Sequence, residues 1–377
     1  MINFKSGQRF IMNRLMAAFH SSSRRLSMTI YLHIGTEKTG TTYIQNFLRQ
    51  NHDKLLKQGY FFPTSPGMEN HIRLTAYAQD DNTIDDLRFS LNVTRPEEVA
   101  AFRNNFKTQL LAETDQNRAS NIIFSNEHCS SRLLTIEEIS RLKDLLDLID
   151  KNIKIVVYLR RQDQFLLSTY STLIKSGATS ELSTPSPRFV QNRYDFAVLL
   201  SRWSEVFGAS NLLVRAYDKK CFVKGDLLKD FAATLGVKFD KAFTEPPILN
   251  QSLDPEVLEF LRNLNFHLPG IMDEGGIRMR TLLSSFLTRI SEKNNCTNEA
   301  TTPDGFMKLF EESNQHVQDT YLAEDCKSLF RVEGETKSDV EPVRLNQAQF
   351  ARIAADLWLM AYEEILRLRE QVQSLNK

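Results

Sequence analysis

The stretch Ile30-Tyr31-Leu32-His33-Ile34-Gly35-Thr36-Glu37-Lys38-Thr39-Gly40-Thr41-Thr42 decides the fold. Its first five residues form an apolar run of strand character, and Gly35 to Thr42 follow as a loop. Beyond the loop, Ile44, Phe47, Leu48, Leu55 and Leu56 fall at helical spacing, and Gly59 stands where a left-handed C-terminal cap belongs. Strand, glycine loop and helix in this order make the layout of a phosphate-gripping P-loop. The two glycines let the backbone turn tightly, the N–H groups freed at a helix N-terminus point at an anion, and Lys38 with paired hydroxyls completes the cradle. A phosphorylated ligand is expected.

The order of residues narrows the reading. The ATP/GTP loop is G-x-x-x-x-G-K-[ST], with its Lys after the second glycine, whereas Lys38 precedes Gly40. The string Lys38-Thr39-Gly40-Thr41-Thr42 resembles instead the 5′-phosphosulfate loop of sulfotransferases, which bind 3′-phosphoadenosine 5′-phosphosulfate (PAPS). The resemblance implies that Gly35, Lys38, Thr39, Gly40, Thr41 and Thr42 bind the nucleotide.

A second run, Ile153-Lys154-Ile155-Val156-Val157-Tyr158-Leu159, is rich in β-branched residues and ends in Arg160-Arg161, with Ser168 eight residues after Arg160. It reads as buried strand, turn and helix. An Arg offers a planar fork to phosphate oxygens, and a hydroxyl one or two helical turns along can reach the same anion. In sulfotransferases an Arg and a Ser at this spacing hold the nucleotide's 3′-phosphate, which implies that role for Arg160 and Ser168. Arg161 is the alternative if the register is off by one. Many members carry Asn-Pro or Asp-Pro after the Arg; here those places hold Arg161 and Gln162, so a differently shaped turn is expected.

Between these two lies the strand-like Asn121-Ile122-Ile123-Phe124-Ser125, which runs into Asn126-Glu127-His128-Cys129. Ligands of open α/β sheets bind at the carboxyl ends of strands, so the three motifs are expected at one crevice. A carboxylate of ordinary pKa near ~4.3 is already ionised at neutral pH and can accept an acceptor's proton. Several glycan-modifying and bacterial sulfotransferases resemble this arrangement and use a Glu there as base, which implies that role for Glu127. The Lys-Thr-His-type motif of the cytosolic phenol and steroid enzymes is not found. His128 is an adjacent rival base. His71, in what reads as a polar loop, Glu69-Asn70-His71-Ile72-Arg73, is a second rival or a residue lining the acceptor pocket.

Lys plus Arg and Asp plus Glu are 47 each in 377 residues, so no net field favours nucleic acid. The four cysteines, Cys129, Cys221, Cys296 and Cys326, lack metal-ligand spacing; reduced thiols in a cytoplasmic protein are expected, without structural zinc. No catalytic metal is expected either, since Lys38 supplies the countercharge.

Residues 1–27 are basic, with Lys5, Arg9, Arg14, Arg24 and Arg25 and no acid, and read as a disordered tail or an upstream start. No 18-residue apolar stretch suggests a membrane span. Residues 28–245 are expected to form a P-loop, three-layer α/β core, with a central, mostly parallel sheet flanked by helices. Residues 246–377 are expected to form a helical C-terminal part packed on it, with a helix start at Asn250-Gln251-Ser252-Leu253. Phe350 to Leu375 carries one apolar stripe over a long helix that docks on the body or on a second subunit, although three heptads do not demand a coiled coil.

These features and the resemblance together imply a PAPS-dependent sulfotransferase acting on a hydroxyl of a carbohydrate or other alcohol. The other readings are an ATP-dependent small-molecule kinase on the same fold and a non-catalytic P-loop scaffold.

Overall fold

The computed structural model describes residues 28–117, 119–247, 253–268, 274–293, 302–322, 326, 330 and 343–375. The basic extension 1–27, the segment Asn250–Ser252 and Cys296 lie outside the described residues.

The strands are β1 (Thr29–Gly35), β2 (Tyr60–Phe61), β3 (Asn121–Ser125), β4 (Ile153–Leu159) and β5 (Leu212–Ala216). The helices before β4 are α1 (Thr41–Gln50), α2 (His52–Lys57), α3 (Ile72–Ala78), α4 (Asp86–Ser90), α5 (Pro96–Gln116), α6 (His128–Arg132) and α7 (Ile136–Asp147). After β4 come α8 (Gln162–Lys175), α9 (Pro187–Arg193), α10 (Phe196–Phe207), α11 (Leu227–Leu235), α12 (Pro255–Asn265), α13 (Glu274–Lys293), α14 (Glu311–Tyr321) and α15 (Gln347–Leu375).

The sheet order is β2-β3-β1-β4-β5, and every pairing is parallel. A parallel sheet must be covered on both faces, which the alternation along the strands achieves. Ile30, Leu32 and Ile34 of β1 and Ile155, Val157 and Leu159 of β4 face a core shared with Leu74 of α3, Phe106 of α5, Leu142 of α7, Leu200 of α10 and Val317 of α14. Val156 and Tyr158 face the opposite layer, with Ile44 and Phe47 of α1, Leu55 of α2 and Leu228 and Phe231 of α11. A third cluster joins Ile174 of α8 to α12, α13 and α15 through Val257, Leu261, Leu287, Ile353 and Met360. The residues after 245 thus supply both this cluster and, through Phe306, Phe310 and Val317, the main core.

The apolar pattern after the loop folds as two helices, because Asn51 interrupts it. The buried Asn51 side chain donates to the carbonyls of Phe47 (2.9 Å) and Thr244 (2.8 Å), which fixes the break. Gly59 follows α2 with φ +84°, the expected left-handed position. In the C-terminal part, Asp254 caps α12 by accepting from Glu256 N at 2.9 Å, so the helix begins later than Asn250. Among the described residues, no helix is long and apolar enough to cross a membrane.

The chain leaves β1 toward β2 and β3 and leaves β4 toward β5. The carboxyl ends of β1 and β4 are therefore a topological switch point, where an open α/β sheet forms its ligand crevice.

Candidate active site

β1 ends at Gly35 with φ +90°. A Cβ there would lie 2.9 Å from Glu127 Cβ, so glycine is what lets β3's end approach the loop. Thr36 anchors the loop to β4, donating from N (3.0 Å) and Oγ1 (3.1 Å) to the Tyr158 carbonyl. Lys38 and Gly40 both adopt positive φ, +64° and +73°. Gly40 is the N-cap of α1 and offers no side chain; Ile44 N already bonds Gly40 O at 3.0 Å. The helix itself leaves the N–H groups of its first turn without acceptors, the condition for anion binding. Thr39 is buried and its hydroxyl donates to Thr36 O at 2.5 Å, so only its backbone remains for a ligand. Thr41 is buried and Thr42 exposed.

Arg160 follows β4 directly and donates from Nη1 to the Lys38 carbonyl at 3.0 Å. Its guanidinium lies over the Tyr217 ring at 5.6 Å, and its buried Nε has no partner. Tyr217 follows β5 and is held by its N–H on Leu159 O at 2.7 Å. Arg161 turns away, its Nε donating to Asp163 Oδ1 at 2.8 Å, so Arg160 is the one of the pair that meets the loop. Lys38 Nζ donates to Thr172 Oγ1 at 2.6 Å, and Thr172 in turn donates to the Ser168 carbonyl at 3.1 Å. The α8 face carrying Ser168 and Thr172 thus adjoins the loop. Burial pushes the pKa of Lys38 down, as it does that of Arg160, and burial together with Lys38 does the same to Lys175. These are neighbouring, partly desolvated cations, an arrangement that favours a nearby negative charge.

The Gln162 that stands where many sulfotransferases carry Pro is buried and donates to Asn314 Oδ1 (2.6 Å) and Tyr194 O (3.3 Å). Here the start of α8 is fixed by a side-chain clamp to α14.

Glu127, just beyond β3, accepts from Gln45 Nε2 at 2.8 Å and from Asn70 Nδ2 at 3.2 Å. It stands at the N-terminus of α6 but makes no side-chain cap bond there. Its carboxylate is therefore oriented by two neutral amides and is not spent on a cation or a helix end. The His128 ring faces Glu37, with Nδ1 3.8 Å from Oε1. Glu37 also pairs with Arg193. Burial pushes the Glu37 carboxyl up, but His128, Arg193 and Ser131 outweigh it and hold the pKa at about 2.

His71 ends the polar loop and is the N-cap of α3, but its ring is turned inward. It is buried, stacked on Phe62 with ring centroids 4.3 Å apart, and its Nδ1 accepts from Ser125 N at 3.3 Å. The aromatic wall and β3 exclude water, and burial lowers its pKa to about 3. His33 is similarly enclosed, with Nδ1 2.9 Å from Ser125 Oγ and a pKa lowered to about 3 by burial.

Gln45, Asn70 and Thr172 escaped the sequence reading. Gln45 had a faint signal, a polar residue beside Ile44 and one turn before Leu48 on the apolar side of α1. Asn70 and Thr172 had none, because what they touch is set by elements far apart in the chain.

No family model matches the chain. It is 32% identical over 135 residues to an uncharacterized protein of Archaeoglobus fulgidus, a match covering 36% of each sequence. The matched segment thus spans about a third of that relative's length. Among solved structures, a sulfotransferase from Alicyclobacillus acidocaldarius is similar with a TM-score of 0.36 and 15% identity, over 58% of this chain and 85% of that one.

Proposed function

We propose that the protein is a sulfotransferase that moves the sulfuryl group of PAPS to an acceptor hydroxyl, of a carbohydrate or other alcohol. One observation carries the reading. Arg160, bonded to the Lys38 carbonyl, and Glu127, packed against Gly35, bring a cationic glycine loop and an oriented carboxylate together at adjacent strand ends. A kinase loop of the ATP type would carry its Lys after the second glycine, which this chain does not.

The residues present fit such a ligand. The left-handed Gly40 cradle, the N–H groups at the start of α1 and the cations Lys38 and Arg160, whose buried Nε lacks a partner, suit a doubly phosphorylated nucleotide. Residues 38–42 would hold the 5′-phosphate, with Thr39 contributing backbone only, and Arg160 and Ser168 the 3′-phosphate. PAPS supplies an activated sulfuryl group on a phosphate leaving group. Glu127, kept in place by Gln45 and Asn70, receives the acceptor's proton as the new O–S bond forms. Lys38, released from Thr172, neutralises the charge left on the phosphate side as the old S–O bond breaks. Positioning and electrostatics do the work, as in phosphoryl transfer, and Lys38 fills the place that a metal takes there.

The test is transfer of labelled sulfuryl groups to a panel of sugars and alcohols. Lys38→Ala is expected to lower kcat by roughly 10²–10³-fold, the loss seen when a preorganised charge stabiliser is removed. Turnover near that of the parent would remove Lys38 from the chemistry and the proposal with it.

A further inference from the structure

The first half of α15 is docked: Ile353 and Met360 are buried with Leu357 beside them, in one cluster with α12 and α13. Its second half carries an apolar face into water. Trp358 is 68% exposed, Ile365 43%, Leu368 46%, Val372 57% and Leu375 84%. Trp358, Ile365 and Val372 recur every seventh residue, and so do Ala361, Leu368 and Leu375, three places later. These are the a and d positions of a heptad. At roughly 100° per residue the a row points about a third of a turn away from Ile353 and Met360, while the d row is shared: upstream, Ala354 and Ala361 of that row rest against the docked cluster.

The seam is complementary to itself. β-branched Ile365 and Val372 at a, with Leu368 and Leu375 at d, is the combination that favours two parallel strands. In this register Glu364 falls at g and Arg369 at the following e. Parallel strands bring g against the following e of the neighbour, so Glu364 faces Arg369 of a second copy, twice by symmetry. Antiparallel strands would bring g to g and e to e, where Glu364 meets no cation, since the other g positions are Leu357 and Gln371. Glu364 is half-buried, bonds Arg367 on its own helix (2.6 Å) and feels Arg289 of α13; pairs within reach of solvent contribute little each, so a further cation can still be added. A seam of this length is marginal for free peptides, but here the helix is already nucleated by its docked half.

We infer that two copies of this chain associate through residues 358–375 as a parallel two-stranded coiled coil. Sedimentation equilibrium of the full chain tests it. The expected mass is twice the 43.5 kDa of one chain. Ile365→Asp combined with Leu368→Asp, at two exposed positions, is expected to give a folded monomer with an unchanged circular dichroism spectrum. Glu364→Arg is expected to weaken the dimer several-fold, and adding Arg369→Glu to restore it. Val372→Cys is expected to form a disulfide between equivalent positions under mild oxidation, beyond any cross-link of the parent. A parent chain that stays monomeric from micromolar concentration upward would overturn the inference, as would a dimer indifferent to the Asp pair. A dimer in which Val372→Cys does not cross-link would overturn the parallel arrangement.

Discussion

Glu127 owes its proposed role to what surrounds it. Two side-chain amides, Gln45 and Asn70, donate to its two oxygens and so fix the direction in which the carboxylate faces. Glu127→Gln keeps the size and hydrogen bonding but removes the basicity. It is expected to lower transfer by about 10²–10⁴-fold while nucleotide affinity, measured by calorimetry, stays within a few-fold of the parent. Loss of nucleotide binding instead would assign Glu127 a structural part. His71 and His33 lead to a different expectation. Both are neutral inside the protein, with pKa lowered to about 3, whereas in the unfolded chain they protonate near ~6.5. Below that value the unfolded chain binds more protons, so the stability they contribute is complete above pH ~6.5 and is lost as pH falls toward 3. Each adds a slope of about 1.4 kcal/mol per pH unit. Between pH ~5 and ~6.5 carboxylates do not yet titrate, so a urea midpoint that stays flat across that window would contradict the burial of both rings. That Lys38, Arg160 and Glu127 stand at strand ends was legible in the sequence, because each sits one to three residues past an apolar run. The burial of His71 was not, since its aromatic wall joins Phe62, just past β2, to Phe124 of β3.

The elements that present these residues are fixed by polar clamps as well as by apolar faces. Asp230 of α11 is fully buried and accepts from Tyr158 Oη of β4 (2.7 Å), from Arg215 of β5 (Nη2 to Oδ1, 2.5 Å) and from Val223 N (3.1 Å). It ties the helix opposite the P-loop to the two strands beside it. Removing one member strands the others, so Asp230→Ala is expected to cost about 3 kcal/mol in urea unfolding, near the lower end for a broken buried pair because Arg215 keeps some access to water. A loss within 0.5 kcal/mol, the range of ordinary surface changes, would show that the network holds nothing together. At the start of α8, Gln162 and Asn314 join that helix to α14 by a hydrogen bond between side chains. The sequence showed Gln162 as a departure, but not that it meets Asn314 across 152 positions. The break at Asn51 was hidden for the same reason, its partner Thr244 being far along the chain. α10 and α11, by contrast, carry their buried residues at plain helical spacing, Phe196, Leu199, Leu200, Trp203 and Phe207 in one and Leu227, Leu228, Phe231 and Leu235 in the other.

In the molecule as a whole, five parallel strands in the order β2-β3-β1-β4-β5 bring to one edge the three motifs that the sequence spreads over about 130 residues. The α/β class followed from strand, loop and helix recurring with near-continuous apolar strands. Strand order could not, because it depends on which helices cover which face. Acceptor identity was not legible either, because outside the three motifs the sequence carries no pattern that marks an acceptor. The central claim is that this edge binds a nucleotide bearing both a 5′- and a 3′-phosphate. Calorimetric titration with 3′-phosphoadenosine 5′-phosphate, beside ADP and ATP with and without Mg²⁺, tests it most directly. The account predicts micromolar, metal-independent binding that requires the 3′-phosphate and is weakened at least tenfold by Arg160→Ala, the loss of one charge-assisted phosphate contact. Preference for Mg·ATP, or no binding of any of these nucleotides, would contradict it.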